Sequence, residues 1–188
     1  ETLLGSLDLR FSLFCRDRSS LEHARRHAPL AQVALCPDMA LGLDVSMLRR
    51  RAASMRVQFA AHWAALRQGH RKSYSDWRTA TRNMEPGHDG RLQVLRSDAE
   101  AATQPGDKAG DLSGLYCSNL RSRNECDAVS ERLLEVVNRA RAVHTDRLHV
   151  AIAAQLLGKP VTLADNSYGK NHAVANTFKA LMPWVTLC

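Results

Sequence analysis

From Cys126 onward the chain switches repeatedly between runs with helical spacing and short β-branched runs, with a polar loop at each change. This alternation constrains the fold more than any other feature. Strands separated by helices pair in parallel, because each crossover is too long for a hairpin. Val129, Leu133, Leu134, Val136 and Val137 interleave with Glu131, Arg132, Glu135 and Arg139, which predicts a helix over Cys126–Arg141. Ala142–His144 is expected as a strand running into a loop at Thr145. Val150–Leu157 follows as a helix closed by Gly158, Val161–Ala164 as a strand, and Asn171–Leu181 as a helix before Pro183. The expectation for this part is one half of a Rossmann-like fold.

The same grammar occurs earlier. Leu9–Cys15 reads as a strand and Arg16–Ser19 as a loop. Ser19 or Ser20 is expected to cap a helix reaching about His27, stopped by Pro29, and Gln32–Cys36 reads as a second strand. Leu92–Leu95 is a further strand, and Asp98–Gly114 a polar solvent loop. Val45–Gln68 is a long helical candidate whose Met47, Leu48, Met55, Phe59, Trp63 and Leu66 form a core-facing stripe. Its arginines 49, 50, 51, 56 and 67 read as a solvated face, with contact to RNA or membrane phosphates as the alternative. Residues 70–91 look irregular.

Composition bounds the function. A chain of 188 residues with 45% hydrophobic and 24% charged content is globular, and no apolar run is long enough to span a bilayer. Net charge of +7 favours anionic partners without choosing among nucleic acid, acidic polysaccharide, phosphorylated metabolite and membrane surface. Cys15, Cys36, Cys117, Cys126 and Cys188 lack zinc-site spacing and read as unpaired thiols of a reducing cytoplasm. Cys15 and Cys36 lie in apolar runs, as small hydrophobes. The histidines form no H-E-x-x-H or similar pattern, so no metal site is expected. No G-x-G-x-x-G, G-x-x-x-x-G-K-[ST] or G-x-S-x-G occurs, which counts against dinucleotide, ATP and serine-hydrolase sites. The start, Glu1-Thr2-Leu3-Leu4, has neither an initiator methionine nor a signal-peptide layout and reads as cut from something longer.

Two loops concentrate the chemistry. Thr145-Asp146-Arg147-Leu148-His149 heads one predicted helix, and Asp165-Asn166-Ser167-Tyr168-Gly169-Lys170-Asn171 heads the next. Both follow strands, at the sheet edge where open α/β folds bind ligands. A helix N-terminus with an adjacent arginine suits an anion, and a histidine there suits proton transfer near neutrality. The plainer alternative pairs Arg147 with Asp146 or Asp165 and leaves His149 as a satisfied, partly buried residue. Arg16, directly after a strand, is a further anion-binding candidate, with a surface contact to Asp17 or Glu22 as its alternative. Asn166, Ser167 and Lys170 could close over a phosphate, although the same loop is good turn chemistry in any protein. Tyr168 is a candidate for stacking on a sugar ring. Asp38 and Asp98 read first as caps or turn residues and second as polar supports of a site.

The wording of these segments, "RDRSS" at 16–20, "CPDMAL" at 36–41, "VLRSDAE" at 94–100, "TDRLH" with "LLGKPV", and "DNSYGKN", resembles the polysaccharide pyruvyl transferase family. The resemblance spans about residues 10 to 180 and is poor between about 45 and 90. It implies transfer of pyruvate from phosphoenolpyruvate to a sugar diol as a ketal, in exopolysaccharide or cell-wall glycan synthesis. It implies Arg147 and Arg16 as phosphoenolpyruvate ligands, and His149 as the acid–base group. Phosphoenolpyruvate is then the donor substrate and no cofactor is expected. The acceptor is a sugar or lipid-linked oligosaccharide at the inner membrane face, reached by peripheral contact, and nucleic acid is not a partner. The implied fold is α/β: a Rossmann-like parallel sheet flanked by helices, within a GT-B-like two-domain architecture with most of the N-terminal domain absent. Residues 1–44 would end the first domain and 45–188 form the second, with 45–90 a variable helical segment. A GT-B glycosyltransferase using a nucleotide sugar and a non-catalytic basic binding module are the alternatives.

Overall fold

The computed structural model describes residues 3–52, 54–55, 86–96, 100–101 and 122–188. Six strands and five α-helices form within them: β1 (Ser12–Cys15), α1 (Arg18–His27), β2 (Gln32–Leu35), α2 (Val45–Ala52), β3 (Arg91–Val94), α3 (Arg123–Asn138), β4 (Ala142–Thr145), α4 (Leu148–Leu156), β5 (Val161–Leu163), α5 (Lys170–Thr177) and β6 (Val185–Leu187). β1 and β2 pair in parallel, Ser12 opposite Gln32 and Cys15 opposite Leu35. β3, β4, β5 and β6 form a second parallel sheet in chain order. The expected architecture of parallel sheets flanked by helices is present.

The core lies on the four-stranded sheet. Leu92 and Val94 of β3, Val143 of β4 and Leu163 of β5 are buried with Val136 and Val137 of α3, Ile152 of α4 and Val174 of α5. α4 carries Leu148, Val150, Ala151, Ile152, Ala153 and Ala154 all buried, so most of its surface is enclosed, with His149 of its first turn the exposed exception. Small alanines let it sit close to β4 and β5. Ala40 and Leu41, in a 3-10 turn over Met39–Gly42 after β2, pack against the same core, as does Val45 of α2.

Local chemistry moved several boundaries. The cap of α1 is Asp17 rather than Ser19 or Ser20. Its carboxylate has two acceptor oxygens and takes the Ser20 N–H and the Ser20 hydroxyl, each at 2.7 Å. α3 begins three residues before Cys126, because Ser122 accepts the Glu125 N–H in the S-x-x-E pattern. It stops at Asn138, and the Arg141 N–H bonds Gly90 O at 2.8 Å instead, feeding β4 into the sheet. α4 begins at Leu148, because the Arg147 carbonyl already accepts from Val150 and Ala151. That places His149 in its first turn. α5 ends at Thr177, short of Leu181; Lys179–Leu181 is a separate 3-10 turn, and the unexpected β6 pairs with β5. The Val45–Gln68 helix is seen over Val45–Ala52, and its later part, with the loop 102–114 and Asp98, lies outside the described residues.

The arginine run of α2 is partly solvated and partly paired. Arg51 bonds Asp127 and Arg49 pairs with Glu131 at 3.6 Å, both on α3, while Arg50 is exposed. Cys15, Cys36, Cys126 and Cys188 are all free thiols. Among the described residues no helix is long and apolar enough to cross a membrane.

Because Ile152 is 1% exposed at the centre of this core, Ile152→Ala is expected to cost about 2–5 kcal/mol of unfolding free energy. Urea denaturation checks this. Arg50→Ala, at the exposed position, should shift stability by less than about 0.5 kcal/mol.

Candidate functional site

Parallel pairing brings the ends of β3, β4 and β5 to one edge, and the segments that follow them wall a pocket there. Its volume is about 460 Å³. The lining includes Arg16 after β1, Arg96 and Glu100 after β3, Arg147, Leu148, His149 and Val150 at the start of α4, and Asn166, Tyr168, Lys170 and Asn171 from the loop into α5. Four guanidinium or ammonium groups face it against the single carboxylate of Glu100, so its field suits a multiply charged anion.

Each wall has a local cause. After β4, the Thr145 hydroxyl accepts the Arg147 N–H at 3.0 Å, turning the chain into α4. Arg147 occupies the N-cap position without a side-chain cap bond, so its guanidinium is not committed to the helix end. The first turn of α4 lines the pocket, where its backbone donors and positive dipole end favour an anion. Asp146 is 4% exposed and accepts the Arg96 N–H at 2.8 Å, which fixes the start of the β3 loop. Burial raises the Asp146 carboxyl above the usual carboxylate value, against the lowering effects of that hydrogen bond and of Arg147 and Arg96.

After β5, Asp165 organises the loop. One of its oxygens accepts the N–H groups of Asn166 and Asn171 at 3.0 Å and of His172 at 3.3 Å. The buried Asn166 side chain accepts the Lys170 N–H at 2.8 Å. Gly169 stands between them at φ 82°, a left-handed conformation that a side chain disfavours. Asn171, 3% exposed, donates to Asp146 O at 2.6 Å and to Ala164 O at 3.0 Å. That amide staples the two loops together, so the halves of the pocket are held as one piece.

Asp38 closes the remaining side. It is 6% exposed, and one oxygen accepts the Ala40 N–H at 3.0 Å, the cap role expected for it. The other accepts from Arg16 Nη1 at 2.5 Å and stands 3.6 Å from His149 Nε2. Burial alone would raise this carboxyl. The Ala40 N–H, Arg16 and His149 together outweigh burial and hold it below the ordinary carboxylate value.

The pocket thus gathers Arg16, Arg147, His149, Asn166 and Lys170 from three separate segments. Ser167 does not line it; its backbone N–H bonds Glu100 O at 3.1 Å and ties the two loops that carry Glu100 and Tyr168. Arg147 lines the pocket and acts electrostatically on Asp146, one of the two carboxylates weighed for it, while the other, Asp165, contacts His172 at 3.3 Å. Arg96 was not singled out by sequence reasoning, which weighed Asp98 in the same motif. The signal was available: like Arg16, Arg96 follows a strand at its carboxyl end. Its side chain pairs with Glu100 at 2.5 Å.

Comparison with known proteins decides the family. The family model of polysaccharide pyruvyl transferase matches residues 2–168. The chain belongs to that family. As a family member it is 28% identical, over 178 residues, to a Bacillus subtilis (strain 168) protein described as "Putative pyruvyl transferase EpsO". That match covers 92% of this chain and 51% of the relative. A solved structure of a functionally uncharacterised protein from Klebsiella pneumoniae subsp. pneumoniae NTUH-K2044 superposes with a TM-score of 0.61. It is 22% identical, with 95% of this chain and 55% of that chain covered, and the likeness is one of fold. This member of the family therefore spans about half the length of the relatives it matches.

The lowered Asp38 carboxyl fixes a sign for acid stability. A carboxyl lowered by folding stabilises the native state above its unfolded value, near 3.8, and that contribution disappears as pH falls through the native value. Asp38→Asn is expected to cost about 1 kcal/mol at neutral pH, discounted because the Arg16 side chain is 40% exposed. The difference from wild type should shrink as pH falls through the native Asp38 value, as read from urea midpoints across pH.

Proposed function

We propose that this chain carries the donor site of a pyruvyl transferase that moves pyruvate from phosphoenolpyruvate onto a sugar diol as a ketal. The observation that supports it is the convergence of Arg16, Arg147 and His149 on one cation-lined pocket at the carboxyl edge of a parallel sheet.

In this reading Arg147 and Arg16 grip the carboxylate and phosphate of the donor, since guanidinium forks match both groups and do not exchange protons. Lys170, Asn166 and the first turn of α4 add donors around the phosphate. His149 delivers a proton to C3, which becomes the methyl carbon. The electron pair of the C2–C3 double bond forms the new C–H bond, and positive charge develops at C2. One acceptor hydroxyl adds to C2 and loses its proton. Phosphate leaves with the electrons of its bond to C2, and a second hydroxyl closes the ketal with loss of a second proton. No cofactor takes part; phosphoenolpyruvate is a substrate.

The acceptor is a sugar diol of an exopolysaccharide or cell-wall glycan precursor, with a lipid-linked oligosaccharide presented at the cytoplasmic membrane face as the natural form. A net charge of +7 favours peripheral contact with such a surface. We place the pocket in the cleft of a GT-B-like pair of domains, with residues 1–44 ending the first and 45–188 forming the second. The packing of α2 on α3 through Arg49 and Arg51 supports grouping α2 with the second. The same pairs argue against a nucleic-acid role for that arginine run, because paired arginines release few counterions on binding.

Calorimetric titration with phosphoenolpyruvate at moderate salt tests the reading. Arg147→Ala is expected to weaken binding by a factor of roughly ten to a hundred, the cost of a charge-assisted bidentate contact. Arg50→Ala should bind as wild type does. No heat from the wild-type chain, or equal losses in both variants, would overturn the assignment of the donor site.

A further inference from the structure

Asp38 stands where three segments meet: it follows β2, its carboxylate bonds the arginine that follows β1, and it faces the histidine in the first turn of α4. Its two oxygens divide the work. Oδ1 takes the Ala40 N–H at 3.0 Å and closes the 3-10 turn, a role that any good N-cap residue fills. Oδ2, which Arg16 and His149 share, does nothing for that turn. The side chain is 7% exposed, whereas those of Arg16 and His149 are 40% and 66% exposed. The buried member of the trio is therefore the fixed point to which the two more exposed ones are held.

We propose that Asp38 is the positioning residue of this pocket, fixing His149 with its proton on Nε2 so that Nδ1 is the nitrogen that exchanges protons with the bound donor. Across 3.6 Å an ionised carboxylate attracts a nitrogen that carries hydrogen and repels a lone pair, so it favours hydrogen on the nitrogen that faces it. The hydrogen bonds and charges that keep Asp38 ionised support this. Building on the pyruvyl-transfer reading, the step is balanced. In the imidazolium, Nε2–H points to Asp38 and Nδ1–H to the ligand. The Nδ1–H bond breaks, its electron pair stays on Nδ1, and the proton goes to C3. The ring left behind is neutral with hydrogen on Nε2, the tautomer that Asp38 stabilises. The same carboxylate anchors Arg16, so the acid and one anion ligand share a single fixed point.

The test is the tautomer of His149 in the free chain, read by nitrogen-15 NMR of histidine-labelled protein in the neutral-ring range, with His149→Gln assigning the signal. Wild type is expected to show predominantly Nε2–H. Asp38→Asn keeps the Ala40 cap through its carbonyl oxygen and presents an amide donor to the ring, which turns Nε2 into an acceptor. The ratio of the tautomers should shift toward Nδ1–H by about tenfold, the equivalent of one hydrogen-bond-sized preference of about 1.4 kcal/mol. Asp38→Ser, which also caps a helical turn, supplies a second folded variant, in which the Nε2–H preference weakens. An unchanged ratio in both variants, or a wild type with hydrogen on Nδ1, overturns the proposal. Phosphoenolpyruvate titration of the same samples separates the two ideas. A wild-type chain that shows the tautomer shift in its variants but takes up no donor refutes the pyruvyl-transfer reading and leaves the positioning role intact.

Discussion

Parallel strand pairing is the constraint on which the rest of the molecule depends. When β3, β4 and β5 run in one direction, every segment that leaves a strand does so at the same edge. Arg96, Arg147 and Lys170 are far apart in the chain, yet each follows a strand end and so lines one pocket. The crossovers that parallel pairing requires carry helices, and the first turns of α4 and α5 lie at that edge. Cationic side chains and helix dipoles thus add their fields at one place without any long-range interaction being needed to assemble them.

A concentration of positive charge is costly to hold together, and the structure offsets that repulsion locally. Glu100 pairs with Arg96, and Asp38 with Arg16 and His149. The backbone is secured by neutral or hydrogen-bonded groups instead: Asn171 staples two loops, and Asp165 gathers three N–H groups. Positioning by Asn171 and Asp165 brings Lys170 to the pocket wall beside Arg147. At Asp146 burial raises the carboxyl while the Arg96 N–H, Arg147 and Arg96 act to lower it.

The residues of the family signature differ in how legible they were. Arg147 and His149 were readable because a strand, a short polar loop and a helix form a local pattern whose ligand-binding edge is known in advance. Lys170 and Asn166 followed by the same logic. Asp38 was readable only as a cap, since its second oxygen serves Arg16 and His149, which lie 22 and 111 positions away. Arg96 was hidden by its neighbours: in a motif with two acidic residues, attention fell on Asp98. β6 escaped because three residues after a proline carry almost no periodicity; its place comes from the open edge of β5.

The sequence by itself determined the class of fold, parallel α/β, and the two loops that come to line the pocket. Both are encoded in short-range terms: hydrophobic period, turn residues and helix caps. Tertiary structure alone decided that Arg16 joins Arg147 and His149, that the α2 arginines pair with α3, and that one carboxylate spans the two sheets. Those facts depend on which face of each element is buried, and that follows from the shape of the whole core rather than from any local segment.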